Sequence, residues 1–323
     1  MSKIKFGIVI PQGWRNDLPE NSSFSQFKYA RDIAIEAEKN GFDSAYAYDH
    51  FIPHYRYPKT GNFFECFTLL SALSTELKTM NIGQIVTCNS YRNPALLAKM
   101  VATLDVITNG RAELGIGAGW FEEEYIAYGY QYLPDVVRIT QLDESIQIIK
   151  KLWTQKISNF QGKYYSVIDA ISYPKPIQKP HPTIMVGGSG EKYLLKVAAK
   201  YADRYNLYFG SPEEMKRKIG VLNDYNSQNR KIEYSIVLPC LIIQEQEQMK
   251  KIMKKMGKQK MTEAEFKKSI AGGLTVGTAE DIIEGISQYV DIGVNHFIFH
   301  FMHIDISVLG EFTKVIKKSK RSF

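Results

Sequence analysis

Short runs rich in β-branched and aromatic residues alternate with longer runs of helical periodicity, and the alternation repeats eight times along the chain. The extended runs are residues 4–10, 44–48, 82–86, 113–117, 183–186, 205–207, 235–241 and 296–301. Helical stretches are expected at 24–40, 65–77, 94–108, 136–153, 191–200, 212–229, 279–292 and 306–317. In the first of these, Phe27, Ala30, Ile33, Ala34 and Ala37 recur at helical spacing, and Gly41 supplies the stop. Pro94 sits at the first turn of the third, where a missing N–H costs least. Each helix carries the chain back to the same end of the sheet, so neighbouring strands must run parallel. Eight such units predict closure into an α/β, (β/α)8 TIM barrel, and 323 residues exceed the roughly 250 that a bare barrel needs.

Two stretches interrupt the rhythm. Residues 154–182 include "QGKYYSVIDAISYPKPIQKPHP", whose aromatics and prolines read as a hairpin followed by an extended connector. Residues 245–273 are long, helical and placed between the seventh and eighth strands. Both read as insertions into a single barrel domain spanning residues 1–323.

The net charge of +7 is local. Six lysines and no acid lie between Lys250 and Lys260, and five basic residues and no acid lie between Lys314 and Arg321; without these eleven the charge falls from +7 to −4. Such runs are ordinarily solvated helix faces, and no nucleic-acid motif accompanies them, so no DNA or RNA partner is expected. Cys66, Cys88 and Cys240 form no paired motif, which predicts a reducing compartment without structural disulfides or zinc. The apolar run in "MSKIKFGIVIPQGW" is too short for a signal peptide, and no segment approaches the roughly 18 apolar residues of a membrane span. The expectation is a soluble, cytoplasmic protein with no membrane partner.

The stretch "GIGAGWFEEEY" looks at first like a dinucleotide loop. It follows the fourth strand rather than the first, has Trp120 where a third glycine is required, and does not open cleanly into a helix. At the C-terminal end of a barrel strand, the same glycines would instead bare the backbone to a flat ligand, where barrel active sites gather. The second strand brings Asp49 and His50 to that mouth. After the fifth strand, Gly187, Gly188, Ser189 and Gly190 precede a helix, and their N–H groups form a candidate anion site.

With "YDHF", "MVGGSGEK", "AAKYADRYN" and "VGTAEDIIEGISQYVDIGVNHFIFHF", the segment "TCNSYRNPALLAKMVATLDVITNGRAELGIGAGWFEEEYIAYG" resembles the luciferase-like oxidoreductases, and within them the branch that uses the deazaflavin coenzyme F420. That resemblance covers most of the chain. It implies an insertion-bearing barrel with a flavin-like ring across its mouth and Asp49 and His50 near that ring. It further implies a bulged third strand, with a cis peptide bond, packing behind the ring at Thr87, Cys88 and Asn89. Gly117, Ala118 and Gly119 would face the ring edge, and Gly187, Gly188, Ser189 and Gly190 would hold the phosphate. The sugar-phosphate dehydrogenases of this branch carry a catalytic glutamate where this chain has Trp120, so a sugar phosphate is not the expected substrate. Whether Glu122, Glu123 or Glu124 takes over from that glutamate stays open. Trp120 and Trp14 are candidates for a stacking wall against the substrate.

The implied activity is hydride transfer between coenzyme F420 and an unidentified small organic substrate, with His50 moving the balancing proton and Asp49 either fixing the imidazole or bonding the ring. The alternative on the same barrel is a monooxygenase using reduced FMN and dioxygen. A flavin-binding protein without turnover is a further reading. A metal-dependent barrel hydrolase would draw on His50, His54, His296, His300 and His303, but Pro53 breaks the spacing of the first pair and the first strand lacks H-x-H, so no metal site is expected. The resemblance also implies a homodimer, and the lysine-rich runs are candidates for attracting a polyglutamate cofactor tail.

Overall fold

The structure, a computed structural model, describes residues 3–243, 246–255, 257–270 and 275–323. In chain order its strands are β1 (Lys5–Val9), β2 (Ser44–Ala47), β3 (Asn81–Gln84), β4 (Thr87–Cys88), β5 (Glu113–Gly117), β6 (Ser158–Gln161), β7 (Ser166–Ala170), β8 (Thr183–Gly187), β9 (Arg204–Tyr208), β10 (Glu233–Ile242), β11 (Val276–Gly277) and β12 (His296–Phe301). Nine of them form one parallel path in the order β3, β2, β1, β12, β10, β9, β8, β5, β4. The path closes on itself because β3 and β4 are two halves of one unit. β3 pairs with β2, β4 pairs with β5, and Ile82 bridges Ala112. The result is the eight-unit (β/α) barrel. The expected third strand is interrupted between β3 and β4, where the Ile85–Val86 peptide is cis.

The helices are α1 (Ser23–Lys39), α2 (Cys66–Glu76), α3 (Pro94–Ile107), α4 (Glu122–Ala127), α5 (Asp135–Thr154), α6 (Leu194–Tyr201), α7 (Pro212–Tyr225), α8 (Gln246–Lys255), α9 (Glu263–Ser269), α10 (Ala279–Val290) and α11 (Ile306–Ser322). Their starts are chemically marked. Ser22 caps α1, Asn93 caps α3 ahead of Pro94, and Thr278 and Asp281 form a capping box on α10. One expectation is corrected: the residues after Trp120 do open a helix, α4, and the Glu122, Glu123 and Glu124 side chains lie in its first turn, where the helix dipole favours acids.

Strand alternation sorts the core into two layers. Phe6, Ile8, Phe297 and Phe299 point outward and pack with the helices in the larger cluster. Val9, Tyr46, Tyr48, Ile85, Met185, Val237 and Ile298 fill the barrel with Trp14 and Phe121. In the first interruption β6 and β7 form an antiparallel hairpin, and the connector that follows holds two cis prolines. In the second, Met249, Met253, Phe266 and Ile270 pack on Leu241, Ile243 and Val276 as a separate small core. Glu245 and residues 271–273, the ends of that second stretch, lie outside the described residues, as does Met256 within it.

The basic runs are partly paired: Lys320 meets Asp43 at 2.9 Å, Lys314 meets Glu311 at 2.5 Å, Lys318 pairs with Glu280, and Lys251 meets Glu247 at 3.0 Å. All three cysteines are buried and unpaired. Among the described residues, no helix is long and apolar enough to cross a membrane.

The barrel floor is charged. Glu113 at the start of β5 accepts from Arg204 Nη1 at 2.8 Å, Tyr46 Oη at 2.6 Å and Asn81 Nδ2 at 2.8 Å. Arg204 also reaches Glu233 at 3.1 Å, and Ser44 meets His296 Nε2 at 2.8 Å beside them. Burial works against the Glu113 charge, but Arg204 and the other donors outweigh it and hold the carboxyl down at about 2, from 4.5. Its contribution to stability is therefore complete above pH 4.5 and is lost as pH falls toward 2. Glu113→Gln leaves Arg204 buried without its main partner and should lower the unfolding free energy by about 3 kcal/mol at neutral pH. Urea unfolding across pH should show the gap between wild type and variant shrinking through the acid range. A gap independent of pH would contradict an ionised Glu113.

Candidate active site

The C-terminal ends of the strands meet in a mouth whose geometry is set by two buried carboxylates. The first is Asp49, just past β2 and 2% exposed. It accepts the Cys88 amide at 2.9 Å and both guanidinium arms of Arg92, at 2.7 and 2.9 Å, while Arg92 also holds Glu65 at 2.8 Å. Burial opposes charge on both groups, but the bidentate pair keeps Arg92 firmly protonated. Asp49 thus ties the second strand to the bulge of the third. Its hydrogen bonds go to Arg92 and Cys88, and His50 Nδ1 turns to a different carboxylate.

That carboxylate is Glu124. His50 Nδ1 lies 2.8 Å from Glu124 Oε2, which also accepts Tyr91 Oη at 2.6 Å, and Oε1 accepts the amides of Phe51 at 2.6 Å and Ile52 at 3.2 Å. Burial raises the Glu124 carboxyl, but the bonds from His50, Phe51 and Tyr91 win and its pKa is lowered. A carboxylate only accepts, so the imidazole proton belongs on Nδ1. No hydrogen bond reaches Nε2 among the described residues. The sequence left three glutamates undifferentiated. α4 separates them, since Glu124 and Tyr125 are buried while Glu122 and Glu123 are exposed.

The two tryptophans part company. Trp14 is 2% exposed and stacks on His50, with centroids 4.0 Å apart and planes 15° apart, so it backs the imidazole rather than facing the mouth. Trp120 is 52% exposed, lies on Phe121 at 5.1 Å and presents its edge-on contact to His50 at 5.8 Å.

The glycines are explained by the protein's own packing. A Cβ on Gly115 would lie 1.9 Å from Gln84 O, and one on Gly117 would lie 2.9 Å from Val86 Cγ2. One on Gly187 would meet Val86 Cγ1 at 2.8 Å, and one on Gly119, with φ +78°, would meet Tyr125 Oη at 1.9 Å. Gly115, Gly117 and Gly187 therefore admit the bulge of the third strand between β5 and β8, and the Cβ directions expected to bare backbone to a ligand are filled. Ala118 and Gly119 beyond them are half-buried at the mouth. Thr87 is buried against Gln84, and the Cys88 thiol is pushed up to about 12 by burial while touching Tyr125 Oη at 3.0 Å. Asn89 is 1% exposed, and its amide lies beside the Tyr165 hydroxyl.

Past β8, Gly188 is spoken for: its amide donates to Asn206 O and its carbonyl accepts Tyr205 Oη at 2.8 Å. Ser189 and Gly190 are exposed, and α6 beyond them has no side-chain cap. Lys218 reaches Ser189 O and, at 2.8 Å, Glu191, which Arg217 also engages. The histidines are divided between the two ends, with His50 and His54 both packed on Trp14. His296 sits in the floor, His300 lies near the mouth with Nδ1 2.5 Å from Tyr48 Oη, and His303 is outside beside Asp305 at 3.5 Å.

The Glu124 carboxylate has four donors to satisfy. Glu124→Ala should lower stability by about 3 kcal/mol or more, whereas Tyr91→Phe, which removes one donor, should cost about 1 kcal/mol. Urea midpoints compare them, and equal losses would contradict a hub at Glu124.

Comparison with known proteins agrees with this architecture. The profile of the family described as luciferase-like monooxygenase matches residues 4–251. The F420-dependent glucose-6-phosphate dehydrogenase of Amycolatopsis mediterranei (strain U-32) is 34% identical over 174 residues, covering 54% of this chain and 50% of that protein. The FMNH(2)-dependent dimethylsulfone monooxygenase of Pseudomonas putida is 32% identical over 219 residues, 67% of this chain and 59% of that protein. The chain thus spans about half the length of the first relative and 59% of the second. An F420-dependent secondary alcohol dehydrogenase, solved with an F420-acetone adduct, superposes with a TM-score of 0.80 at 22% identity, over 98% of this chain and 99% of the other; that likeness is one of fold. This chain belongs to the luciferase-like monooxygenase family.

Proposed function

We propose that the chain is an oxidoreductase that passes a hydride between a deazaflavin, coenzyme F420, and a small organic substrate at the C-terminal mouth of the barrel. The observation that carries this reading is His50, whose Nδ1 is committed to Glu124 while Nε2 is left without a protein partner beside an aromatic wall. Hydride transfer to or from a carbonyl or alcohol needs a proton moved at the oxygen, and a fixed imidazole with one open nitrogen can move it. The names of the relatives using F420 support the same choice.

The residues present fit a flat ring carrying a phosphate. Asn89 offers a buried amide behind the bulge, beside the Tyr165 hydroxyl, and Ala118 and Gly119 offer a half-buried edge. Ser189 and Gly190, exposed in the loop ahead of α6, present backbone amides to an anion, with Arg217 and Lys218 alongside on Glu191. When bound, the coenzyme supplies the two-electron hydride chemistry. His50 accepts the substrate's hydroxyl proton at Nε2 in the oxidising direction and returns it in the reducing one. Glu124 steadies the positive charge that His50 gains, Trp14 keeps its ring in plane, and Asp49 with Arg92 holds the bulge. Trp120 and Phe121 exclude water from one side. The buried, unpaired thiols suit a reducing cytoplasmic setting.

Similarity to an FMNH(2)-dependent monooxygenase supports a second reading, oxygenation with reduced FMN on the same barrel. Side-by-side titration of the purified protein with coenzyme F420 and FMN, followed by cofactor fluorescence, separates them. Micromolar binding of F420, with FMN at least tenfold weaker, is expected. The opposite preference together with oxygen uptake would replace this reading by the second, and binding of neither would remove both.

A further inference from the structure

The mouth holds a cation that the proposed chemistry leaves unused. Arg15 follows Trp14 in the loop after β1, and its side chain reaches across to residues beyond β12 and β9. Its Nη1 donates to the Met302 thioether at 2.8 Å, and its guanidinium lies 5.3 Å from the centre of the Phe209 ring. A thioether is a weak acceptor and a guanidinium carries five N–H donors, so nearly all of this group's hydrogen-bonding capacity is unspent. Among the described residues no carboxylate pairs with it. The nearest acid in sequence, Asp17, turns away and accepts the Gly13 amide at 2.7 Å. Other half-buried arginines spend their donors on the protein: Arg92 on Asp49 and Glu65, Arg230 on Asp203, and Arg111 on the carbonyls of Thr108, Met80 and Leu77.

We infer that Arg15 is the specificity residue of the site, and that the substrate is a small organic monoanion, a carboxylate with an apolar or aromatic body, whose charged end pairs with its guanidinium. Arginine matches a carboxylate with two parallel N–H bonds, and partial burial strengthens that pair relative to bulk water. The count of positive charges favours one negative charge over two. His54 is pushed down to about 4 by burial and by the Arg15 and Arg56 charges, and burial and Arg15 hold His300 well below its usual value, so both are neutral at physiological pH. Arg56 is exposed on the outer rim over Tyr55. The apolar body has walls to meet: Tyr208, 42% exposed, stacks on Phe209 at 4.0 Å on the Arg15 side, and Trp120 stacks on Phe121 on the His50 side.

This inference rests on the oxidoreductase reading for placing the substrate at the mouth, and it is tested by binding alone. Benzoate, phenylacetate and isobutyrate, their neutral amides, and phenyl phosphate are titrated calorimetrically into the full chain, with and without coenzyme F420. At least one acid should bind, with its amide at least tenfold weaker. Arg15→Met should lose tenfold or more for the acid, Arg15→Lys should recover part of the loss, and Arg56→Met should stay within twofold of wild type. Equal binding of acid and amide, equal binding by wild type and Arg15→Met, an equal loss in Arg56→Met, tighter binding of phenyl phosphate, or no binding of any acid would each overturn the assignment. Should Arg15→Met fail to fold, the acid–amide comparison in the wild type still decides. Coenzyme binding without any acid binding would sink this inference alone. Acid binding through Arg15 without coenzyme F420 binding would sink the F420 reading alone.

Discussion

The carboxylate of Asp49 ties the second strand to the bulge of the third, and much of the mouth depends on that tie. With the Cys88 amide and Arg92 held by one buried group, the chain leaves β3 and enters β4 at a fixed offset. That offset brings Val86 forward into the space where Gly117 and Gly187 have no side chains, and lays Gln84 against Gly115. A carboxylate with three charge-assisted bonds is strong enough to set such geometry, since each such bond is worth roughly twice a neutral one. Glu124 then builds on the same frame from the other side, gathering Tyr91 just after the bulge, the loop after β2, and His50.

The two ends of the barrel use charge differently. At the floor, Glu113, Arg204 and Glu233 satisfy one another, and Tyr46 and Asn81 complete the set. A closed network of that kind seals the barrel and offers nothing to a ligand. At the mouth two groups are left open on one side: His50 at Nε2 and Arg15 at its guanidinium. Buried polar groups without partners carry a desolvation cost, and a ligand that supplies partners recovers it. The charged groups of the floor are spent on one another, whereas His50 and Arg15 at the mouth keep donor and acceptor positions open to a ligand.

Strand and helix positions were legible in the sequence because period and punctuation are local: the alternating units, the Gly41 stop and Pro94 all act within a few residues. Asp49, His50 and the Gly187 loop were legible as mouth residues for a similar reason, since position at a strand end follows from strand order. What escaped was pairing across the mouth. Asp49 and His50 are adjacent in sequence, yet strand geometry sends their side chains apart, to Arg92 and Glu124 respectively. Glu124 differs from Glu122 and Glu123 only in the face of α4 it occupies, and that helix was itself missed because Phe121 is not a capping residue. Trp14 looked like a wall because a tryptophan near a strand end is large and amphipathic; its burial under His50 depends on the loop after β1 folding inward. Arg15 gave no signal at all, because an unpaired charge is visible only when its surroundings are.

The central chemical claim is that Glu124 holds the His50 proton on Nδ1 and leaves Nε2 free to exchange a proton with substrate. Nitrogen-15 NMR of histidine-labelled protein, with His50 assigned by loss of its signals in His50→Gln, reads the tautomer directly. The expected spectrum at high pH has a protonated Nδ1 and an unprotonated Nε2 for His50, with the preference collapsing in Glu124→Ala. A protonated Nε2, or a tautomer unchanged by removing Glu124, would contradict it.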